Sequence, residues 1–296
     1  MRSRFIKITL ASLAVCIGLL VFIRLTARRA EAKPYLQTLP PRPLAMAHQC
    51  GDHVWPGDTL YACERAVALG ADILDLDFQL TTDGVPVLIH DETLERTSNG
   101  AGRVDAHTLA ELKSLDAAYN WSPDGGQTFP YRGQGITFTT VEEIFQAFPD
   151  QHLNIEIKTE TEEAALVFCN LIRDYNMAEQ AMAASFADAQ MKAFRRYCPE
   201  VATAATQNEM IAFFALQTVW LGSLYSPDFQ TVQVPEERFN ITILTPGFIA
   251  SARERGLEAH VWTINEKDDM TRLLALGVDA INTDNPDRLM DVLERP

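Results

Sequence analysis

The sequence predicts a (β/α)8 barrel (TIM barrel), an α/β fold, preceded by an N-terminal membrane-anchor helix. Eight strand-like runs alternate with eight helix-like runs over about 250 residues, which matches the unit order and length of this fold. Two of the strands carry acidic side chains on one face, and a basic and apolar segment precedes the first strand. An open doubly wound sheet is the alternative, and the number of units favours the barrel.

The first 33 residues differ in composition from the rest of the chain. An apolar run of 16 residues, 8–23, is flanked by basic residues on both sides. It is shorter than the roughly 20 residues that span a bilayer comfortably, although neighbouring apolar residues can extend it. One interpretation is a cleaved signal peptide with Ala30-Glu31-Ala32 as the cleavage site. The arginines before that site favour a single transmembrane anchor, which would place the large domain on the extracytoplasmic side.

The remaining chain divides into a linker and one domain. Residues 34–43 are rich in proline and predict a stiff linker, and residues 44–296 form the barrel. The whole chain has 25 basic and 40 acidic residues. Residues 1–33 hold seven of the basic residues and one acidic residue, which leaves a net charge of −21 on the remainder. Such a charge disfavours nucleic acid and anionic lipid headgroups as partners.

Five cysteines bear on the compartment and on metal binding. Cys16 lies in the apolar run, and no C-x-x-C motif or Cys/His cluster indicates zinc. In an oxidising compartment, the pairs to test are Cys50 with Cys63 and Cys169 with Cys198. Four buried free thiols stay open as the alternative.

The periodicity places each element of the barrel along the chain. Strands are expected near residues 44–47, 73–80, 153–158, 181–185, 201–204, 230–234, 258–263 and 279–283. Helices are expected near residues 59–69, 140–147, 162–175, 187–197, 208–216, 246–255, 267–276 and 286–293. Residues 116–139 show neither period and predict a long loop over one end of the barrel.

The second strand carries the strongest pattern. Over residues 73–80 apolar side chains alternate with polar ones, so that Asp75 and Asp77 share one face about 7 Å apart. Asp83-Gly84 predicts a tight turn, after which a second apolar run leads to His90. A half-exposed strand with solvated aspartates would show the same alternation.

A third strand repeats this alternation. Residues 153–158 place Glu156 and Lys158 on the polar face, where a barrel interior usually holds apolar side chains. Together with Asp75 and Asp77, these side chains predict a polar pocket of three carboxylates and one ammonium. Carboxylate oxygens are the ligands that Mg²⁺ and Ca²⁺ prefer, so the pattern favours a divalent-metal site.

Two histidines belong to the same predicted site. His48 follows the first strand and His90 follows the extension of the second, and active sites of these barrels lie at the carboxyl ends of strands. A lone histidine is more often structural, whereas two histidines beside three carboxylates suit general acid and general base catalysis. The other four histidines are interpreted as structural or surface residues: His53, His107, His152 and His260. Of these, His53 lies in the loop after the first strand, close enough in sequence to His48 to line the pocket.

Seven spaced motifs together resemble the glycerophosphodiester phosphodiesterase family. They are AHQCG at 47–51, PGDT at 56–59, LGAD at 69–72, the segment 75–100, IEIK at 155–158, VWTIN at 261–265 and GVDAINTDNP at 277–286. The resemblance covers residues 44–293 in order. It implies a (β/α)8 barrel with bound Mg²⁺ or Ca²⁺ that hydrolyses a glycerophosphodiester or a lysophospholipid to an alcohol and a phosphomonoester. The anchored, loop-rich form is similar to members that act as lysophospholipase D, and the loop at 116–139 resembles the insertion that caps the family's active site.

The resemblance also implies a role for each site residue. The acid–base histidines are His48 and His90, the metal-binding carboxylates are Asp75, Asp77 and Glu156, and the substrate-contacting residues are Gln49, Lys158 and Trp262.

Three motifs depart from the family pattern. Where the family has His-Arg-Gly, residues 48–51 read His-Gln-Cys-Gly, so a neutral amide at Gln49 replaces a charged phosphate contact. The family's Pro-Glu-Asn-Thr is Pro-Gly-Asp-Thr at residues 56–59, and its Glu-x-Asp begins with Asp75. The third departure shortens a metal ligand by one methylene.

Two other functions stay open at this point. One is a catalytically impaired barrel that binds a lipid or a headgroup, for which Gln49 is the supporting feature. The other is a phospholipase of the phosphoinositide-specific type, which shares the barrel and a histidine pair. Because both histidines and all three acids are present, the sequence favours the active phosphodiesterase.

Overall fold

The computed structural model describes residues 18, 19 and 21–295 of the chain. Among these residues, no helix is both long enough and apolar enough to cross a bilayer. The anchor predicted over residues 8–23 lies mostly outside the described part of the chain, so it stays a prediction. Residues 21–26 are helical and expose Phe22 and Leu25.

Besides the helical residues near the start of the described chain, the described residues form eleven strands and ten α-helices. The strands are β1 (Leu44–His48), β2 (Ile73–Leu80), β3 (Pro86–Leu88), β4 (His152–Ile157), β5 (Ala181–Ala184), β6 (Ala202–Thr203), β7 (Thr231–Val234), β8 (Glu237–Arg238), β9 (Ile241–Thr242), β10 (Glu258–Val261) and β11 (Ala280–Thr283). The helices are α1 (Pro34–Thr38), α2 (Leu60–Leu69), α3 (Leu109–Lys113), α4 (Val141–Ala147), α5 (Glu162–Asp174), α6 (Asp188–Tyr197), α7 (Gln207–Thr218), α8 (Pro246–Glu254), α9 (Lys267–Leu276) and α10 (Pro286–Val292).

Eight parallel strands make the barrel. Their order is β6, β5, β4, β2, β1, β11, β10 and β7, so the first and last barrel strands of the chain are neighbours. The ring closes between β6 and β7, where Ala204 pairs with Thr231 and the Gln230 amide donates to the Thr203 carbonyl at 2.8 Å. The predicted (β/α)8 barrel is therefore confirmed, and all eight predicted strands are among the observed ones.

The alternation along β2 sorts its side chains between two environments. Leu74, Leu76 and Phe78 point outward and are fully buried in the core between the barrel and its helices. Asp75 and Asp77 take the other face and point into the barrel. Every residue of β2 is buried, which excludes the half-exposed strand that the sequence left open.

The amino end of the barrel is closed by the segment predicted as a linker. Residues 34–38 form α1, whose Tyr35 is fully buried, and Leu39 follows it into the same cluster. This cluster includes Leu44 at the start of β1 and Ile73 at the start of β2. The proline-rich segment therefore packs as part of the barrel, because an aromatic ring placed between prolines fills the space below the first layer of inward-facing side chains.

The chain that precedes α1 is also attached to this end. The Ala30 amide donates to the Arg255 carbonyl at 2.7 Å, and the Lys33 ammonium donates to the Pro199 carbonyl at 2.7 Å. Arg255 and Pro199 lie in connections that lead from a helix into a barrel strand, that is, at the amino ends of the strands. Residues 27–33 are thus held across the closed end of the barrel.

Both predicted cysteine pairs are disulfides in the structure. Cys50 is bonded to Cys63 of α2, and Cys169 of α5 is bonded to Cys198 after α6. This excludes the alternative of four free thiols. The first disulfide fixes the turn that follows β1 to the helix behind it.

Helix α3 and the β8–β9 hairpin were not predicted, whereas the predicted long loop is observed. The helix α3 follows a Thr108 capping box, and β8 and β9 form a short antiparallel hairpin after β7. Residues 114–139 contain no helix or strand, as expected for the long loop. The Trp121 indole of this loop donates to the Asp52 carbonyl at 2.7 Å, which holds the loop beside the turn after β1.

Candidate active site

A cavity of about 300 Å³ opens at the carboxyl ends of the barrel strands. Its walls come from β1, β2, β4, β7 and β11 and from the segments that follow β3, β5, β6 and β10. Seven of the eight residues predicted for the site line it: His48, Asp75, Asp77, His90, Glu156, Lys158 and Trp262. Residues more than 200 positions apart in the chain therefore converge on one polar pocket.

Asp75 lies deepest and is held by two amides. Asn154 on β4 and Asn282 on β11 each donate a hydrogen bond to its carboxylate, the second at 2.5 Å. Burial and the nearby charge of Asp77 raise the pKa of Asp75, while the charge of His48 and both amides oppose this. The amides fix the orientation of the carboxylate, so its position does not depend on a ligand.

Asp77 and Glu156 form the charged wall of the cavity. They occupy paired positions on β2 and β4, and the Lys158 ammonium lies 3.2 Å from Asp77 and 2.9 Å from Glu156. Burial and then the charge of Asp77 raise the pKa of Glu156 to about 7, against the opposing effect of Lys158. Two carboxylates so close together repel unless a cation compensates them, and Lys158 is that cation in this structure.

His48 is oriented by a carboxylate from the residue that follows the last barrel strand. Its Nδ1 lies 2.6 Å from Asp284, and the Asn265 amide donates to the other oxygen of Asp284 at 2.7 Å. Burial alone would lower the pKa of His48, but the hydrogen bond to Asp284 and the negative charges of Asp75 and Asp77 outweigh it and raise the pKa to about 9. This raised pKa favours the protonated imidazolium of His48 at neutral pH.

His90 follows β3 and is more exposed than His48. Its Nδ1 lies 2.9 Å from the Asp91 carboxylate, which the Arg96 guanidinium binds at 2.5 Å. The side chain of His90 is 45% exposed, against 24% for His48. The two histidines thus differ in burial and in the carboxylate environment that orients them.

Gln49 is the one predicted site residue that does not line the cavity. It is buried, and its amide donates to the Asp77 carboxylate at 3.3 Å from behind. Gln49 and Asp58 both adopt left-handed backbone conformations, with φ of 47° and 54°. Non-glycine residues rarely do so, and such positions cluster at functional sites. Contact of Gln49 with substrate stays a prediction, and its observed role is to orient Asp77.

The residues present fit a hard divalent cation by their chemistry. Asp75, Asp77 and Glu156 offer carboxylate oxygens, and the buried Oδ1 of Asn282 has no hydrogen-bond partner within the described residues. The same part of the chain contains no three Asp, Glu, His or Cys side chains already grouped as a metal cluster. The Lys158 ammonium lies between Asp77 and Glu156, so a metal would compete with it.

One wall of the cavity is apolar. Trp262 follows β10, and its ring meets that of Phe186 edge-on at 6.4 Å between centroids. Gln233 on β7 donates to Asn154 at 3.0 Å and connects this wall to the polar floor. The site is therefore charged toward β2 and β4 and aromatic toward β7 and β10.

The long loop does not line the catalytic cavity. Its Asn120 and Trp121 line a neighbouring polar cleft of about 670 Å³ that also includes Asp52, His53 and Arg288. The imidazole of His53 lies 3.6 Å from Asp284, so this cleft adjoins the residue that orients His48. The loop thus extends the surface around the site and does not close over it.

The sequence analysis assigned no role to the residues that orient Asp75 and His48. Asn154 is the first polar residue of the alternation over residues 153–158, ahead of Glu156. Asp284 and Asn265 lie in motifs that were recognised without a role for either residue. Asp284 reaches His48 because β11 is adjacent to β1, and this pairing follows only from closure of the barrel.

Comparison with known proteins identifies the family. The model of the glycerophosphoryl diester phosphodiesterase family matches residues 48–288, which is most of the chain. This chain belongs to that family. Three relatives illustrate the match, and each spans most of this chain.

A glycerophosphodiester phosphodiesterase from Caldanaerobacter subterraneus is 31% identical over 259 residues, 85% of this chain and 98% of the relative. A human lysophospholipase D is 28% identical, and the match covers 84% of each chain. The structure of an Oleispira antarctica phosphodiesterase, solved with its product sn-glycerol-3-phosphate, has a TM-score of 0.70 at 23% identity and covers 89% of this chain and 100% of that chain.

Family membership establishes the reaction class. The chain is a phosphoric diester hydrolase of the glycerophosphodiester phosphodiesterase type. The same finding favours this activity over the phosphoinositide-specific type that the sequence left open.

Proposed function

We propose that this chain hydrolyses glycerophosphodiesters to an alcohol and a phosphomonoester by metal-dependent catalysis in which His48 and His90 act as acid and base. The supporting observation is that two histidines, three carboxylates and Lys158 share one cavity at the carboxyl ends of the strands. The alternative of an impaired binding barrel is not favoured, because the histidine pair, the three carboxylates and Lys158 all line this cavity although Gln49 replaces the family's arginine.

The environments of the two histidines support different roles. His48 is an imidazolium held by Asp284, so it donates a proton to the oxygen of the leaving alcohol. His90 is oriented by Asp91 and accepts a proton from the nucleophile. The nucleophile is water, or a neighbouring hydroxyl of the substrate that forms a cyclic phosphate before water opens it.

The charged wall of the cavity would hold the metal and the phosphate. Asp75, Asp77 and Glu156 would hold Mg²⁺ or Ca²⁺, which when bound would neutralise the phosphate oxygens. Lys158 would contact the phosphate once its ammonium is released from the carboxylates. Trp262 would form the wall against which the glycerol part of the substrate lies.

The relatives support two kinds of substrate. The Oleispira antarctica enzyme was solved with sn-glycerol-3-phosphate, the product expected from a glycerophosphodiester, and the human relative is a lysophospholipase D. We therefore include lysophospholipids with glycerophosphodiesters as substrates.

We also propose that the barrel works outside the cytoplasm, held by the N-terminal segment as a membrane anchor. Two disulfides support this location, because disulfides persist in oxidising compartments.

The test is hydrolysis of glycerophosphocholine in Mg²⁺, in Ca²⁺ and in a chelator. We expect choline release that needs a divalent metal and that falls about 10³-fold in His48→Ala and in His90→Ala. The matched control is His107→Ala, because this histidine lies outside the cavity. Full activity in the chelator would refute the metal dependence. Unchanged rates in either histidine variant, with wild-type thermal unfolding, would refute the assigned roles.

A further inference from the structure

An apolar groove of about 390 Å³ lies next to the catalytic cavity, and we name it the α7 groove. Helix α7 forms one side and the β8–β9 hairpin with the residues after it forms the other. The side chains that define it are Met210, Ile211, Phe214, Phe239, Ile241 and Ile243. Its volume is within the range of small-molecule sites, and its walls are apolar as in such sites.

The α7 groove and the catalytic cavity are continuous. Four residues line both of them: Phe186, Ala205, Gln233 and Trp262. A molecule bound with its phosphate near Lys158 can therefore extend past Trp262 into the groove without leaving the surface of the protein.

The α7 groove contains several of the large apolar side chains that are exposed, a kind of side chain that folded proteins usually bury. Between residues 27 and 295, seven large apolar side chains are exposed, and four of them line the groove: Phe186, Ile211, Phe239 and Ile241. Phe239 is 85% exposed. Arg238 is the only charged residue among the described ones that line the groove, although the chain is rich in charge. Contiguous exposed patches of this kind mark binding surfaces.

We propose that the α7 groove binds the single acyl chain of a lysophospholipid while its glycerophosphate occupies the catalytic cavity. This inference rests on the proposed function and assigns to the same site a preference for phosphodiesters that carry one acyl chain. Water adds to phosphorus, the bond from phosphorus to the headgroup alcohol breaks, and the alcohol leaves with a proton. The acylated glycerol phosphate remains as the second product.

The shared walls favour an acyl chain over the other possible occupants. A surface that docks on a membrane or on a partner protein has no need to open into the catalytic cavity. A substrate chain must do so, because it is covalently joined to the phosphodiester that reacts there. The aromatic wall of Trp262 and Phe186 lies at this junction, where the polar glycerol would give way to the chain.

The experiment measures kcat/KM on the full chain for glycerophosphocholine and for lysophosphatidylcholines with six-, eight- and ten-carbon chains, all below their micelle concentrations. Burial of each methylene should raise kcat/KM about two- to fourfold. The double variant Phe239→Ser/Ile241→Ser should remove most of this gain and change the rate on glycerophosphocholine less than twofold. Trp220→Ser is the matched control, because Trp220 is 91% exposed and lies outside the groove.

The outcomes separate this inference from the proposed function. Turnover of glycerophosphocholine without any dependence on chain length would overturn the groove and leave the phosphodiesterase intact. If no diester is turned over, chain-length-dependent binding of the same lysophosphatidylcholines, measured by calorimetry, would still support the groove, and its absence would overturn it. Loss of binding to phosphatidylcholine vesicles in the double variant, with wild-type turnover of monomeric substrates, would identify a membrane-docking surface instead and would also overturn it.

Discussion

The two ends of this barrel differ in how their charged side chains are paired. At the amino end, Tyr35 fills the interior, and Arg295 forms an ion pair with Asp72. Arg42 forms a second ion pair there with Glu258, and the Arg295 guanidinium also donates to the Pro43 carbonyl at 2.8 Å.

At the carboxyl end, carboxylates outnumber the cations between them. Asp77 and Glu156 share the single ammonium of Lys158, and the pKa of Glu156 rises to about 7 as a result of burial and of the charge of Asp77. Such an arrangement costs stability, because buried like charges repel. It also leaves negative charge available for a cation or for a proton.

The difference indicates that the amino end of the barrel contributes to stability and that the carboxyl end contributes to reactivity. In barrels of this class, residues at the amino ends of the strands serve stability and those at the carboxyl ends serve catalysis. Substitutions at the two ends should therefore change different measured quantities, and three experiments test this separation.

The largest effect is expected from Tyr35→Ala at the closed end. Removal of a fully buried ring should lower the free energy of unfolding by about 3–5 kcal/mol. The matched control is Tyr35→Phe, which should cost nothing or stabilise the fold, because the Tyr35 hydroxyl is buried without a partner in the described structure. Denaturant unfolding measures both variants. Loss of kcat/KM on glycerophosphocholine in folded Tyr35→Ala would show that the ends are not separable.

The next effect comes from Lys158→Met, which leaves two buried carboxylates without their cation. We expect the free energy of unfolding to fall by about 3 kcal/mol without metal and to recover in millimolar Mg²⁺ or Ca²⁺. Arg295→Met breaks an ion pair at the other end, which is partly exposed and should be worth about 1 kcal/mol or less, without recovery in metal. Equal metal responses of the two variants in thermal unfolding would contradict the proposed metal site.

The smallest effect concerns the pH profile of Asp284→Asn. Asp284 raises the pKa of His48, and the protonated form is the proposed acid, so activity is lost as the pH rises through that pKa. Without the carboxylate the pKa falls, and the basic limb of kcat/KM should move to lower pH by about one unit. Asp91→Asn should leave this limb in place, because Asp91 contacts His90. An unmoved basic limb in Asp284→Asn would exclude His48 as the acid.

The sequence predicted the regular parts of the molecule because local patterns determine them. The predicted bounds of β2, residues 73–80, are those observed, since its alternation reflects one face toward the helices and one toward the cavity. The helix α3 was missed although Thr108 and Glu111 form a capping box, a signal that short helices share with longer ones.

The parts that could not be predicted depend on contacts between distant segments. Proline content indicates a linker at residues 34–43, and nothing local shows that Tyr35 enters the barrel. The identity of the His48 partner follows from the neighbouring positions of β1 and β11, which join the two ends of the domain. The α7 groove likewise lies between helix α7 and the β8–β9 hairpin, and the sequence pattern of neither element predicts that the two are neighbours.

The attachment of residues 27–33 across the closed end has a consequence for how the enzyme would meet its substrate. If the preceding apolar run is the predicted anchor, the bilayer lies beneath the amino ends of the strands, and the mouth of the cavity points away from it. The enzyme would then be unable to draw lipid sideways from the leaflet that carries it. Its substrates would arrive as dissolved monomers or from a facing membrane, so their supply would depend on release from other surfaces rather than on diffusion within the anchoring one.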